Sequence, residues 1–178
     1  MLIVAADSRL FSCGLIDLPD ERRTTVRSAI SFRDAIEEDF EFLFELHRST
    51  MREYVATMWG SWNEADQRQR FGSPREAADG LRIIRFEGVD VGALRCRQRG
   101  VDTFLVSIEV LPQYQSKGIG SVVIEDLIEA GSRAGGGVEL TVLKANERAR
   151  RLYERLGFVT TSENDERRFM RAGGRRHE

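Results

Sequence analysis

The sequence predicts an α+β fold, one domain in which a mixed, mostly antiparallel sheet is flanked by about four helices. Three observations lead there. Strand-like segments succeed one another across residues 81–112, separated only by a glycine turn or a short polar link, as antiparallel neighbours are. Two amphipathic helical patterns then alternate with single strands, which makes the sheet mixed. And 178 residues at 41% hydrophobic and 31% charged composition suit one well-buried domain and are short for two.

The elements follow in chain order. Residues 1–28 match no clear period, and "DLPDERRTTVR" (17–27) is polar enough for an arm or linker, so 1–28 reads as an extension. The domain is then 29–172, and "GGRRHE" (173–178) is a flexible tail. "AISFRDA" (29–35) alternates as a strand. The next segment puts Phe40, Leu43, Phe44, His47 and Met51 on one helical face, with Glu41, Glu45, Arg48 and Arg52 opposite. A second helix is expected over 63–71, with Asn63 or Ser61 as N-cap, and "GSPREAADG" (72–80) reads as loop. "LRIIRFEGVDVGALRCRQRG" is a hairpin around Gly88, and "DTFLVSIEVLP" a third antiparallel strand closed by Pro112. Ile119, Val122, Val123, Leu127 and Ala130 then mark a helix that "GSRAGGG" ends. "VELTVL" is a buried strand, and "NERARRLYERLGF" a helix with Ala149, Leu152, Tyr153 and Leu156 on one stripe, Asn146 at its N-cap and Gly157 at its C-cap. Strands 158–162 and 167–171 surround the "ENDE" turn.

Composition excludes several classes. The net charge is -2, and all but two of the 27 basic residues are Arg, a skew of composition rather than a phosphate-binding pattern. No Arg cluster is interleaved with aromatics, so no nucleic acid is expected. Cys13 and Cys96 lie far apart without metal-ligand spacing, so neither a disulfide framework nor a metal site is indicated, and a reducing, cytoplasmic setting fits. The N-terminus lacks a basic region ahead of its short apolar start, and no apolar run reaches membrane-spanning length.

The chemistry is concentrated in "QYQSKGIGSVVIEDL" (113–127). A strand that ends, a glycine-rich turn and a helix that begins there form an anion site, because the first helical amides lack intrahelical acceptors and point outward together. Gly118 and Gly120 leave the amides of Lys117, Gly118, Ile119 and Gly120 open to a bulky diphosphate, and Lys117 adds a charge. Neither the Walker spacing nor the dinucleotide fingerprint is present. Taken alone, the glycines equally serve tight strand-to-helix packing.

Gln115, Gly118 and Gly120 form a Q-x-x-G-x-G pattern behind a strand ending "VLP", and "VLKANERARRLYERLGF" carries an N-x-x-A-x-x-x-Y-x-x-x-G-F block. Together, in this order, they resemble the Gcn5-related N-acetyltransferase (GNAT) family over residues 29–172. The tract from Phe44 to Phe71 also resembles a bacterial subgroup of that family with mostly unassigned substrates. The resemblance implies acetyl-CoA as co-substrate, with no metal. It implies that the loop, here Gln115, Lys117, Gly118, Ile119, Gly120 and Ser121, holds the coenzyme A pyrophosphate. Main-chain groups of Ile108 and Val110 would bond the pantetheine amides and the acetyl carbonyl, the Ile108 amide serving as oxyanion donor.

Tyr153 matches the tyrosine that protonates the leaving thiolate in the family; without the motif it is a core-facing stripe residue. Asn146 matches a position that touches the cofactor, caps its helix, or does both. Glu109 stands in the strand beside the proposed acetyl site, as a general base or as a solvent-facing or ion-paired residue. His47 reads as packed within its apolar face, and a water chain in place of a base stays open. In the family the early helices wall the acceptor pocket, which brings in Tyr54, Trp59, Trp62, Glu64 and Gln67. The acidic run Asp34, Glu37, Glu38, Asp39, Glu41 and Glu45 suits a cationic amine or simply a solvated helix start. Acetyl transfer to a primary amine of a small molecule or peptide is the function expected; a non-catalytic acyl-CoA-binding sensor is the alternative, and the family's habits allow a homodimer.

Overall fold

The computed structural model describes residues 20–174, apart from the side chains of Asp20, Met58 and Trp59. Residues 1–19 of the expected extension and 175–178 of the expected tail lie outside it. Helix α1 (Asp20–Ala29) leads into β1 (Ile30–Asp34), a 3₁₀ turn (Glu37–Asp39) and the long α2 (Phe40–Trp59). Two short helices, α3 (Glu64–Phe71) and α4 (Pro74–Ala78), precede the antiparallel run β2 (Leu81–Phe86), β3 (Val89–Arg99) and β4 (Asp102–Val110). Then come a 3₁₀ turn (Pro112–Tyr114), α5 (Ile119–Arg133), β5 (Val138–Leu143), α6 (Glu147–Arg155), β6 (Val159–Glu163) and β7 (Arg167–Ala172). The strands form one seven-stranded sheet in the order β1-β2-β3-β4-β5-β7-β6, and only β4 and β5 run parallel. The mixed, mostly antiparallel α+β sheet is as the strand pattern predicts.

Two segments differ from expectation. The polar arm at 17–27 is helical from Asp20 onward. A polar helix this short is marginal alone. It is held by Val26, which packs on the main core, and by Arg23 on Glu125 (3.2 Å) and Arg27 on Asp126 (2.8 Å) of α5. These partners are a hundred residues away in sequence, so no local period announces them. The loop at 72–80 contains α4, which starts with Pro at its first turn and a capping box in which the Ser73 hydroxyl and the Glu76 carboxylate satisfy each other's backbone amides. Ala77 and Ala78 are its buried face.

The sheet is covered on both faces and the buried residues group accordingly, with a third, small cluster of Met51 and Val55 on α2. Ile108, Val110, Leu105 and Leu140 pack with Ile119, Val123 and Ile124 of α5 and with Ala149 and Tyr153 of α6. Ile83 and Ala93 instead meet Leu43 and Leu46 of α2. From the edge strand, Arg33 of β1 holds both carboxylate oxygens of Asp39 at 2.7 Å and reaches Asp90 of β3 at 2.6 Å, fixing the entry to α2. No helix among the described residues is long and apolar enough to cross a membrane.

The junction of β4, β5 and β7 positions the site. β3 pairs with β4 along nearly its whole length, from Asp102 to Val110. β5 pairs with β4 only from Thr103 to Leu105, and beyond that it follows β7. The closed end is tied by Arg171, whose guanidinium donates twice to Asp102 (2.7 and 2.8 Å) and once to Glu139 (3.1 Å). Asp102 also accepts the Gly137 amide at 2.7 Å. The glycine run before β5 is required here: a Cβ on Gly136 would lie 1.9 Å from the Val101 carbonyl oxygen.

Gly136→Ala is therefore expected to lower unfolding stability by about 1–3 kcal/mol, read from urea denaturation. The Arg33 guanidinium, followed by the Ile36 amide, holds the Asp39 carboxyl below its ordinary 3.8. A carboxyl held low stabilises the fold above that ordinary value and loses its contribution as pH falls through the lowered one. Asp39→Asn should thus be less stable than the parent near about pH 7, with the difference shrinking as pH drops below 3.8 in matched urea titrations.

Candidate active site

The loop after β4 is built from its backbone outward. The Leu111 amide still bonds Val91 of β3 (2.8 Å), and Gln115 Nε2 reaches back to the Val110 carbonyl at 2.8 Å. The chain then turns through Ser116 (φ 60) and Gly118 (φ 85), the second of which is the left-handed N-cap of α5. The first intrahelical bond runs from the Val122 amide to the Gly118 carbonyl, so the amides of Ile119, Gly120 and Ser121 precede the helical ladder. The Ile119 side chain is buried in the core, while a Cβ on Gly120 would meet nothing within 4 Å. This is an open cradle at a helix N-terminus. Lys117 Nζ lies 4.8 Å from the Tyr114 ring centre, and Arg148 of α6 reaches Ser116 Oγ at 3.4 Å, so two cations stand at the loop.

The strand leading in is equally specific. In an antiparallel ladder, alternate residues turn both backbone groups to the partner. With Leu111 bonded to Val91, and Ala93 opposite Glu109, the backbone groups of Glu109 and Leu111 face β3. Those of Ile108 and Val110 face the other way, toward the side from which β5 has departed. Their side chains are buried, 2% and 9% exposed, so what they offer to the gap is main chain.

One face of α2 spans this gap. Glu109 points to the α2 side, where Thr50 Oγ1 lies 2.7 Å from its Oε2 and His47 Nδ1 3.6 Å from its Oε1. One turn further on, the Tyr54 hydroxyl donates to Asn146 Oδ1 at 3.3 Å, and that oxygen also accepts the Ala149 amide at 3.0 Å as the N-cap of α6. His47, Thr50 and Tyr54 thus run from β4 to the start of α6. His47 is packed as its apolar neighbours suggest, with ring centres 5.3 Å from Phe71 and 6.0 Å from Trp62, and its nitrogen also meets Glu109. Thr50 escaped the sequence reading; the signal was three polar residues at 47, 50 and 54 on an otherwise apolar helix face.

Tyr153 lies fully buried against Phe158 (5.4 Å), and its hydroxyl is one of few buried polar atoms among the described residues without a hydrogen-bond partner. Burial alone pushes this phenol far above its ordinary range, so it keeps its proton. Desolvation also pushes the Cys96 thiol in β3 up to about 11, so it presents no thiolate at neutral pH. Among the described residues no cluster of His, Cys, Asp or Glu is placed to hold a metal ion.

The outer wall is less open than its composition suggests. Trp62 donates to Glu64 (2.8 Å), and Glu64 also faces Arg48 (3.7 Å), so this carboxylate is already engaged. The Trp59 side chain lies outside the described residues. Of the acidic run, Asp39 and Glu41 are held by Arg33 and Arg68, and Asp34, Glu37 and Glu38 line an open depression of about 750 Å³ with Arg75 and Arg82. That depression lies at the β1 and β2 end of the sheet, away from the glycine loop.

No curated protein matches the chain. Solved structures share its fold. A PaiA N-acetyltransferase from Thermoplasma acidophilum, in complex with coenzyme A, superposes with a TM-score of 0.69 at 16% identity, over 81% of this chain and 98% of that one. An acetyltransferase of the GNAT family from Bacillus anthracis gives 0.61 at 16% identity, over 80% and 93%. YncA, a putative acetyltransferase from Salmonella typhimurium with its cofactor acetyl-CoA, gives 0.52 at 20% identity, over 84% and 96%. The model of the acetyltransferase (GNAT) family matches residues 40–158, a span that contains the glycine loop, the parted strands and Tyr153, and the chain belongs to that family.

Proposed function

We propose that the protein transfers an acetyl group from acetyl-CoA to a primary amine of a small molecule or peptide, by direct attack with both substrates bound. The observation that carries this is the parting of β5 from β4 after Leu105, which leaves the main chain of Ile108 and Val110 facing a gap that ends at the open Gly120 cradle. A long polar chain with a diphosphate at one end fits such a groove. Two proteins of similar fold hold coenzyme A or acetyl-CoA.

Acetyl-CoA would supply the activated thioester. The residues supply the rest. Amides of Ile119, Gly120 and Ser121 and the charge of Lys117 bind the pyrophosphate. Gln115 serves this by holding the Val110 carbonyl and thereby the loop's shape. The Ile108 amide donates to the acetyl carbonyl oxygen, favouring negative charge there. Glu109 accepts the proton of the acceptor's ammonium so that the nitrogen lone pair can attack. Tyr153 gives its hydroxyl proton to the departing sulfur, a role suited to a phenol that burial keeps protonated and that has no competing partner. Asn146 orders the start of α6 beside it. The acceptor approaches along the wall of Tyr54 and Trp62, and because arginines already engage much of the acidic run, charge steering toward a strongly cationic amine has little support.

The decisive experiment is a thermal shift with acetyl-CoA, coenzyme A, ATP and NAD side by side. At about 100 times Kd the first two should add about 2.7 kcal/mol, a rise of roughly 5–10 °C, and the others nothing. Gly120→Glu should remove the rise, since a carboxylate enters the anion cradle; an unchanged shift in this variant defeats the loop assignment. Tyr153→Phe should keep coenzyme binding and hold or raise fold stability, because it deletes an unpaired buried hydroxyl, yet lower kcat by roughly 10²–10⁴-fold in a thiol-release assay. Coenzyme binding without turnover of any amine would instead mark a non-catalytic sensor.

A further inference from the structure

Building on the acetyl-transfer reading, we propose that the acceptor is an acidic peptide, whose N-terminal amine meets Glu109 and whose carboxylates lie along a row of arginines on β3. Ala93 is directly opposite Glu109, and from there Arg95, Arg97 and Arg99 follow at alternate positions of the strand. Alternate residues share a face. Ala93 packs with Leu43 and Leu46 of α2, and Glu109 meets Thr50 of the same helix, so the row lies on the α2 face. Cys96, between Arg95 and Arg97, packs against the main core on the other face.

The row has no carboxylates of its own. Among the described residues, Arg95 holds only the Ala77 carbonyl (2.7 Å), Arg99 lies over the Phe104 ring (3.8 Å), and Arg97 has no partner. The acids of the neighbouring strands are committed elsewhere. Asp102, opposite Arg99, and Glu139, opposite Phe104, are both held by Arg171, and Glu109 is bonded by Thr50. Burial, and after it the charge of Arg97, pushes the Arg95 guanidinium below its ordinary range, while Asp79 and Glu109 act in the opposite sense without bonding it. Arg97 and Arg99 are exposed, so a ligand can reach them. Like charges along one face of a strand repel, and arriving carboxylates would relieve that repulsion.

The spacing selects a peptide. At about 3.3 Å per residue, Arg95, Arg97 and Arg99 stand roughly 7, 13 and 20 Å along β3 from the position opposite Glu109. An extended peptide has the same rise, so one that begins at Glu109 brings its third, fifth and seventh side chains over the three arginines. A small amine with one carboxylate spans at most the first of them. A nucleic acid would need rings on which its bases stack, and the ring in this row, Phe104, already has Arg99 over its face.

The test uses the full chain with coenzyme A and an amidated heptapeptide, free at its N-terminus, that carries glutamate as its third, fifth and seventh residues. Twin peptides carry glutamine or arginine at those places. Fluorescence anisotropy of C-terminally labelled peptides reads binding without turnover. The glutamate peptide should bind roughly 10-fold more tightly than the glutamine twin at low salt, the gap closing as salt rises. Arg97→Glu combined with Arg99→Glu should reverse the order, so that the arginine twin binds better than the glutamate peptide, a gain that a misfolded variant does not show. Equal binding of the three peptides by the parent overturns the proposal, and so does an unreversed order in the double variant. A single-stranded RNA oligonucleotide that binds more tightly than the glutamate peptide, and is lost in the double variant, overturns the choice of partner. Thiol release from acetyl-CoA then joins the row to acetyl transfer: the glutamate peptide should show a KM about 10-fold below that of its glutamine twin, and equal KM values overturn the proposal. Should no peptide be turned over while anisotropy shows the preference and its reversal, the failure belongs to the acetyl-transfer reading and the peptide-binding row stands.

Discussion

A parallel strand pair normally continues until one strand ends, but here β4 and β5 separate after three residue pairs, and everything at the site follows from that separation. The tie among Arg171, Asp102, Glu139 and the Gly137 amide closes one end. With that end fixed and β5 committed to β7, the remaining half of β4 has backbone groups with no neighbouring strand. Such groups are costly to bury without partners, so this edge must face water or a ligand rich in amide and carbonyl groups. The glycine loop follows at its far end, where the amides of Ile119, Gly120 and Ser121 precede the helical ladder.

Tyr153 obeys a related logic. An unpaired buried hydroxyl costs about 1–3 kcal/mol, and a core built for stability alone would hold Phe there, as the adjoining Phe158 shows. In the proposed reaction the partner of this hydroxyl arrives with the substrate, which would account for the cost. Glu109 is treated differently, with one oxygen bonded by Thr50 at 2.7 Å and the other 3.6 Å from His47 Nδ1.

Where the sequence was legible, the reason is local periodicity. The strand alternation around Ile108 and Val110, the stripe through Ala149 and Tyr153, and the Asn63 and Asn146 caps are all short-range signals, and each appears in its expected element. Gly118 and Gly120 marked the helix start because few backbones need two glycines there. What stayed hidden depends on distant partners: α1 exists by virtue of α5, and the contact of His47 and Thr50 with Glu109 joins positions about sixty residues apart. Helix α4 has a local signal too, a Ser-Pro start and a capping box, but these lie within a stretch so rich in glycine and polar residues that it reads as loop.

The single oxygen of Asn146 that serves both Tyr54 and the first turn of α6 has a thermodynamic consequence. An acceptor molecule that draws Tyr54 aside takes a donor from the cap of the helix that carries Tyr153. Occupancy on the α2 side and order in α6 are therefore linked, and linkage is reciprocal: whatever steadies α6 changes the affinity of the α2 side by the same factor. In the proposed reaction, acetyl-CoA and the acceptor would then each change the other's affinity by one common factor, a coupling carried by one shared hydrogen-bond acceptor.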